Sequence, residues 1–184
     1  MRVRVLVVFL LSPACSPVRP AGQGDDDPVD AGGACGALGA GPAAPCRADV
    51  DAVVDRVVDG DTIDVVVEGG QERVRLIGVD APESDEGACG SGAESWLRAR
   101  LPVASAVVLS FDAECIDPFD RTLAYVSDSG GMVNVSLVSR GQAQACWVEP
   151  NITYRDHLAC LEAEASAASE GLWARGCHLD ACFE

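Results

Sequence analysis

The chain has 184 residues and a formal net charge of −16, because 29 acidic residues stand against 13 basic ones, all of them arginine. This length suits one domain with a targeting segment and a linker, and it excludes two full domains. The acidity disfavours nonspecific adhesion to polyanions such as nucleic acid, while a hydrophobic content of 48% is enough for a core.

The first 15 residues have the features of an export signal. Two arginines precede the apolar run Val5 to Leu11, which is too short to span a bilayer. The segment Ser12-Pro13-Ala14-Cys15 resembles the lipid-attachment site of bacterial lipoproteins, so Cys15 is either acylated or lost by simple signal-peptidase cleavage. We expect an exported protein that is extracellular, periplasmic or anchored to the bacterial envelope. Residues 16–48 are rich in Gly, Ala, Pro and Asp, which predicts a disordered tether.

Nine cysteines indicate an oxidising compartment and disulfide bonds. A zinc site is not expected, because there is no CxxC spacing and the chain has only two histidines. Removing Cys15 leaves an even number, for which many pairings are possible. We predict disulfides Cys89–Cys115 and Cys146–Cys160, with local closures in the flanks and a cysteine-containing tail over residues 176–184.

From residue 49 onwards, short strands and helices follow one another. Turns at Asp59-Gly60 and Gly69-Gly70 join the first three strands into a meander, and Pro102 ends the first helix. A mostly β, α+β fold follows, a five-stranded Greek-key barrel with about three helices. The predicted strands cover residues 50–58, 61–67, 73–79, 106–111 and 123–126. The predicted helices cover residues 92–101, 133–139 and 154–169.

Charged residues stand at several places where secondary structure alone does not require them. Singly, each has a plain explanation: a turn residue, a strand residue facing water, an ordinary loop, or a surface ion pair of Arg121 with Asp117 or Asp120. Together they are unusual, because the stretch 74–83 directs an arginine and two carboxylates towards one small volume. Such a volume suits a phosphate and a metal ion. These residues are Asp59, Asp61, Arg75, Asp80, Glu83 and Arg121.

Several motifs resemble, in their order along the chain, those of the staphylococcal nuclease (thermonuclease) family. The resemblance covers residues 50–175, and we place the domain at 49–175. It implies an OB-fold barrel and a calcium-dependent nuclease that hydrolyses phosphodiester bonds of DNA and/or RNA. The motifs are Asp59-Gly60-Asp61-Thr62, Arg75 to Glu83, Asp120 to Tyr125, Val133-Asn134 and Gly171-Leu172-Trp173.

The resemblance also implies roles for individual residues. The implied calcium ligands are Asp61, Asp80, the backbone carbonyl of Ala81 and, through water, Asp59. The implied catalytic residues are Glu83, as general base on water, and Arg75 and Arg121, which stabilise the phosphorane. The chemistry agrees, because calcium prefers oxygen ligands in a tolerant geometry and a guanidinium meets two phosphate oxygens at once.

Two aromatic residues are the candidates for contact with the substrate. We expect Phe119 and Trp147 to contact the substrate, with core or rim packing as the alternative for Trp147. Residues 49–175 contain 23 acidic residues and nine arginines, so binding should be weak and sensitive to salt. The expected partner is nucleic acid, the expected state is a monomer, and membrane contact would occur only through a lipid on Cys15. The alternative functions are a non-catalytic exported OB-fold module that binds an oligonucleotide or protein, and a calcium-binding structural lipoprotein.

Overall fold

The computed structural model describes residues 34–83 and 88–177 together with Cys182. The predicted export signal, Cys15 and the first part of the tether lie outside these residues. Across the described ranges, no helix is both long enough and apolar enough to cross a bilayer. The strands are β1 (Val50–Val57), β2 (Thr62–Val67), β3 (Gly70–Leu76), β4 (Val79–Asp80), β5 (Ala106–Ser110), β6 (Thr122–Asp128), β7 (Gly131–Met132) and β8 (Gln144–Ala145). The helices are α1 (Ala88–Arg100), α2 (Val133–Ser139), α3 (Arg155–Ala167) and α4 (Gly171–Arg175).

Five of the strands close into a barrel. Strands β3, β2, β1, β5 and β6 are antiparallel neighbours in that order, and a parallel pairing of β3 with β6 closes the ring. Val54, Ile63, Val65, Val74 and Leu109 are buried in the core of the domain. With the three longer helices α1, α2 and α3, this architecture confirms the predicted OB-fold barrel.

The strand predicted over residues 73–79 is interrupted. Strand β3 ends at Leu76, and the chain turns at Gly78, whose φ of 77° lies in the left-handed region that favours glycine. A β-carbon at Gly78 would also lie 2.6 Å from Leu158 Cδ1. The turn takes the chain out of the barrel, so Val79 and Asp80 form β4 and pair with β8 in a separate two-stranded ribbon.

The described residues contain four disulfides, and both predicted pairings are wrong. The fold places Cys89, at the start of α1, beside Cys177, just after α4. It also places the chain segment before β1 against the β5–β6 connection, through Cys46 and Cys115, and against α3, through Cys35 and Cys160. Such neighbours are remote in sequence, so spacing alone does not indicate them. The disulfides are Cys35–Cys160, Cys46–Cys115, Cys89–Cys177 and Cys146–Cys182.

Two of these disulfides change the interpretation of the predicted tether. Cys35 and Cys46 are both joined to the domain, and the Cys46 N–H donates a 2.7 Å hydrogen bond to the Asp112 carbonyl. Residues 34–48 are therefore fastened to the barrel. A disulfide that closes a long loop stabilises mainly by restricting the unfolded chain.

A buried asparagine connects α2 to the barrel. The Asn134 side chain is fully buried. Its Oδ1 accepts a 2.9 Å hydrogen bond from the Val126 N–H, and its Nδ2 donates a 2.8 Å bond to the Ile77 carbonyl. Asn134 therefore holds β6 and the turn before β4 at fixed positions.

We expect Asn134→Ala to lower the free energy of unfolding by about 2 to 4 kcal/mol, because two buried backbone groups lose their partners. Urea denaturation followed by circular dichroism measures this change. Ser139→Ala on the same helix is the matched control, since the Ser139 hydroxyl donates only a 3.3 Å bond to a carbonyl of its own helix. Equal stability of the two variants would contradict the role given to Asn134.

Candidate active site

The hairpin between β1 and β2 carries the first carboxylates of the site. The Asp61 N–H donates a 3.0 Å hydrogen bond to Asp59 Oδ1, which fixes the turn. A β-carbon on Gly60 would lie 2.6 Å from Ala81 Cβ and 2.8 Å from Ala93 Cβ. Only glycine therefore allows this turn to pack against both residues.

The carboxylate of Asp61 is held on both oxygens. Its Oδ2 accepts a 3.0 Å hydrogen bond from the Ala81 N–H, and its Oδ1 accepts one of 3.0 Å from the Thr62 hydroxyl. Its backbone carbonyl accepts a 2.9 Å bond from the Leu76 N–H. Asp61 is 7% exposed, so the hairpin and the exit of β4 meet around a buried carboxylate.

Arg75 lies between two carboxylates. Its Nη2 is 3.0 Å from Asp61 Oδ2 and 3.0 Å from Asp80 Oδ1. Its Nη1 donates to the carbonyls of Leu76 at 3.0 Å and Val79 at 2.7 Å. Three of these four contacts are hydrogen bonds, and the contact of Nη2 with Asp61 is an ion pair. The predicted phosphate-binding arginine therefore serves here as the counter-ion of Asp61 and Asp80.

One contact of the site was missed by the sequence prediction. The second oxygen of Asp80, Oδ2, accepts a 3.1 Å hydrogen bond from Gln144 Nε2. The two residues are 64 positions apart, and they meet because β4 pairs with β8 in the register Asp80–Gln144. No local pattern marks Gln144, since it depends on the pairing of two strands of two residues each.

The donors suit a hard cation. Burial raises the pKa of Asp61 to about 6; Arg75 and the Ala81 N–H oppose this rise, while Asp59 and Asp80 add to it. A buried carboxylate with a raised pKa beside a second carboxylate is a place where a cation replaces a proton. Oxygen atoms of Asp61 and Asp80 both contact one nitrogen of Arg75, which brings the predicted ligand pair together.

The other predicted acidic residues stand further from this pair. In the described part of the chain, the one group of three His, Cys, Asp or Glu with ligand atoms within 4.8 Å of one another is Cys35, Cys160 and Glu164, and its two sulfurs form a disulfide. Neither Asp59 nor Glu83 completes such a group with the carboxylate pair. Glu83 is exposed and lies three residues after Asp80, at the edge of the undescribed residues 84–87.

The raised pKa of Asp61 predicts a pH dependence of the metal-free protein. Below about pH 4 the group is protonated in both the folded and the unfolded state, and its stabilising contribution is lost as the pH rises through about 6. We expect the difference in unfolding free energy between wild type and Asp61→Asn to fall by about 2 kcal/mol from pH 4 to pH 7, because the carboxyl of the unfolded chain is already partly ionised at pH 4. Urea denaturation in chelator measures it. A difference that stays constant over this range would contradict the buried, shifted carboxyl.

Arg121 lies on the neighbouring strand segment, next to Asp117. Its Nε donates a 2.6 Å hydrogen bond to Asp117 Oδ2, and its backbone N–H donates a 2.9 Å bond to Oδ1. Burial acts to raise the pKa of Asp117, but the hydrogen bonds from Arg121 and from the Phe119 N–H outweigh it and lower that pKa. In the pairing of β3 with β6, Arg75 lies opposite Leu123. Arg121 comes two residues before Leu123, which is roughly 7 Å along the chain direction of the strand.

The two predicted substrate contacts differ in exposure. The Phe119 ring is 78% exposed, and its centroid lies 5.4 Å from the Arg121 guanidinium carbon. Trp147 is 39% exposed and directly follows Cys146, which is bonded to Cys182. Phe119 therefore presents an aromatic face beside an arginine, whereas Trp147 is less exposed and follows β8 by two residues.

Comparison with known proteins agrees with this geometry. The sequence profile of the family described as staphylococcal nuclease homologue matches residues 73–175. A thermonuclease of Staphylococcus intermedius is 38% identical over 128 residues, 67% of this chain and 76% of that protein. A thermonuclease of Staphylococcus hyicus is 34% identical over 125 residues, 65% of this chain and 73% of that protein.

A third similar protein is endonuclease YncB of Bacillus subtilis (strain 168). It is 34% identical over 132 residues, which are 68% of this chain and 63% of that protein. The profile match covers more than half of the chain and includes the end of β3, strands β4 to β8 and all four helices. The chain therefore belongs to the staphylococcal nuclease homologue family and is a hydrolase of the nuclease class.

Proposed function

We propose that this nuclease is calcium-dependent and hydrolyses phosphodiester bonds of DNA or RNA. The observation that carries the proposal is a pair of carboxylates, the buried Asp61 and the half-buried Asp80, which share one arginine at the exit of β4. The names of the similar proteins, two thermonucleases and an endonuclease, support the reaction class.

In this proposal the cation is held by the carboxylates of Asp61 and Asp80 and by the Ala81 carbonyl, with Asp59 acting through water. Calcium accepts such a mixed set of oxygen ligands. When bound, a divalent cation stabilises negative charge on a phosphate oxygen and makes a bound water more acidic. The Ala81 N–H and the Thr62 hydroxyl hold the Asp61 carboxylate in place for this task.

Arg75 has two roles in the proposal. In the metal-free protein it compensates the charge of Asp61 and Asp80 through Nη2. In the presence of substrate, the same Nη2 group could donate hydrogen bonds to phosphate oxygens. A guanidinium gives such contacts as a planar fork and stays charged at any working pH. Its hydrogen bonds should strengthen as the phosphorane gains negative charge.

Glu83 is the proposed general base. It is exposed and lies three residues after the proposed ligand Asp80. A base must lie within one hydrogen bond of the proton that it removes. The glutamate then takes a proton from the attacking water while Arg75 and Arg121 donate to the phosphate.

Arg121 and Phe119 are proposed to contact the substrate on the side of β6. Asp117 orients the Arg121 guanidinium by a 2.6 Å bond from Nε, and the exposed Phe119 ring lies beside it. A nucleotide could stack on the ring while its phosphate accepts hydrogen bonds from the guanidinium. Residues 49–175 contain 23 acidic residues and nine arginines. This local contact must therefore supply much of the affinity for nucleic acid, and salt should weaken that affinity.

We also propose that the protein is exported. The four disulfides support this, because structural disulfides persist in oxidising compartments. The apolar N-terminal run and Cys15 supply the expected signal and the possible site of a lipid. Fractionation of the producing cells would test the proposal, and recovery of the protein with free thiols in the cytoplasm would contradict it.

One assay tests the proposed activity. The purified protein is incubated with single-stranded DNA, duplex DNA and RNA, in calcium or in chelator. We expect cleavage of at least one substrate in calcium and none in chelator. Binding of an oligonucleotide without cleavage would instead favour the non-catalytic module, and cleavage that persists in chelator would contradict the calcium site.

A further inference from the structure

Gln144 and Arg75 hold the carboxylate of Asp80 from two sides. The register of β4 and β8 sets Gln144 opposite Asp80, and Gln144 Nε2 donates a 3.1 Å hydrogen bond to Asp80 Oδ2. The other oxygen, Oδ1, accepts a 3.0 Å bond from Arg75 Nη2. Because each oxygen has its own donor, rotation of the carboxylate about its last side-chain bond is restricted.

The backbone beside Gln144 is itself fastened. The Ala145 N–H donates a 3.4 Å bond to Glu162 Oε1 of α3, and the Cys146 N–H donates a 2.9 Å bond to the Gly78 carbonyl. Cys146 is also bonded to Cys182. Strand β8 cannot slide along β4 without breaking these contacts. The backbone that carries the Gln144 amide is therefore fixed relative to Asp80.

A neutral amide suits this position for an electrostatic reason. Arg75 already places one positive charge against Asp80, and a second would compete with a divalent cation for the same carboxylate. An amide donates a hydrogen bond without adding charge. Gln144 therefore orients the oxygen and leaves the negative charge available to a cation.

We infer that Gln144 is a positioning residue that orients Asp80 for divalent-cation binding. This inference rests on the proposed function, because it assumes that Asp80 is a ligand. Loss of a hydrogen-bond partner of a metal ligand typically lowers metal affinity by about 10- to 100-fold. Since Gln144 donates to the proposed ligand Asp80, its loss should weaken the affinity while leaving turnover at saturating metal nearly intact.

Calcium calorimetry on the full chain tests the inference. Gln144→Ala removes the donor, and Gln144→Met removes it while keeping the length of the side chain. Gln71→Ala is the matched control, because Gln71 Nε2 also donates to an aspartate, Asp55, at 2.6 Å on the exposed face of the barrel. We expect roughly tenfold weaker calcium binding in both Gln144 variants and unchanged binding in the control.

Two further measurements separate positioning from a structural role. Turnover at saturating calcium should stay within about twofold of wild type, and the thermal midpoint in chelator should match that of Gln71→Ala. Calcium affinities equal to the control would overturn the inference and leave the proposed function standing. A Gln144→Met protein that is unfolded, or that loses turnover even at saturating calcium, would also overturn it. Wild type that binds no calcium would remove the proposed function and this inference together.

Discussion

Glu83→Gln is expected to lower kcat by about 10²- to 10⁴-fold, the usual contribution of a positioned general base. Glutamine keeps the size and hydrogen-bonding shape of the side chain but cannot accept the proton of the attacking water. Because Glu83 is not one of the predicted ligands, calcium affinity should stay at the wild-type value. Single-turnover cleavage of DNA at saturating calcium measures the effect.

The matched control is Glu68→Gln, at the exposed turn between β2 and β3. It makes the same chemical change far from the carboxylate pair and should leave cleavage unchanged. Glu83→Gln that cleaves as fast as Glu68→Gln would show that another group takes the proton. The base would then have to be sought elsewhere around the site.

Arg121→Lys is expected to lower kcat by about 10²- to 10³-fold, the loss seen when one donor to a developing charge is removed. Lysine keeps the positive charge but loses the planar fork that meets two phosphate oxygens. KM should change less than kcat, because the lost contact strengthens as charge develops on the phosphate. Steady-state kinetics at saturating calcium separates the two constants.

Arg98→Lys on α1 is a close control for this change. Arg98 pairs with Glu94 four residues away, as Arg121 pairs with Asp117 four residues away. Both substitutions disturb a local ion pair of this kind, which is worth little to stability at the surface. Equal kcat values in the two lysine variants would refute a transition-state role for Arg121.

The barrel, and the meeting of Asp61, Arg75 and Asp80, could be predicted from the sequence. The turn Asp59-Gly60 and the alternating strands depend on local chemistry, so the meander was predictable. The order of the motifs then placed Asp61, Arg75 and Asp80 in one volume, where the structure has them. The break at Gly78 was missed, because the close approach of Leu158 from a distant helix to this left-handed turn leaves no mark in the local sequence.

The contacts that could not be predicted all join segments remote in sequence. Cys35 pairs with Cys160 across 125 residues, and Gln144 reaches Asp80 across 64. The closure of the barrel determines which of these remote residues meet. Neither the spacing of the cysteines nor the pattern of the strands indicates such pairs. The ion pairs of Arg75 with Asp61 and Asp80 could not be predicted for the same reason, since they depend on how the hairpin packs against β4.

The most direct test of the account is the rate of DNA cleavage as a function of calcium concentration, for wild type and for Asp80→Asn. The account predicts a saturable calcium dependence in wild type, with no cleavage in chelator. It also predicts that Asp80→Asn needs about 100-fold more calcium or more, because a carboxylate ligand has become a weaker amide ligand. Wild-type cleavage that ignores calcium, or identical calcium curves for the two proteins, would contradict the assignment of this carboxylate pair as the metal site.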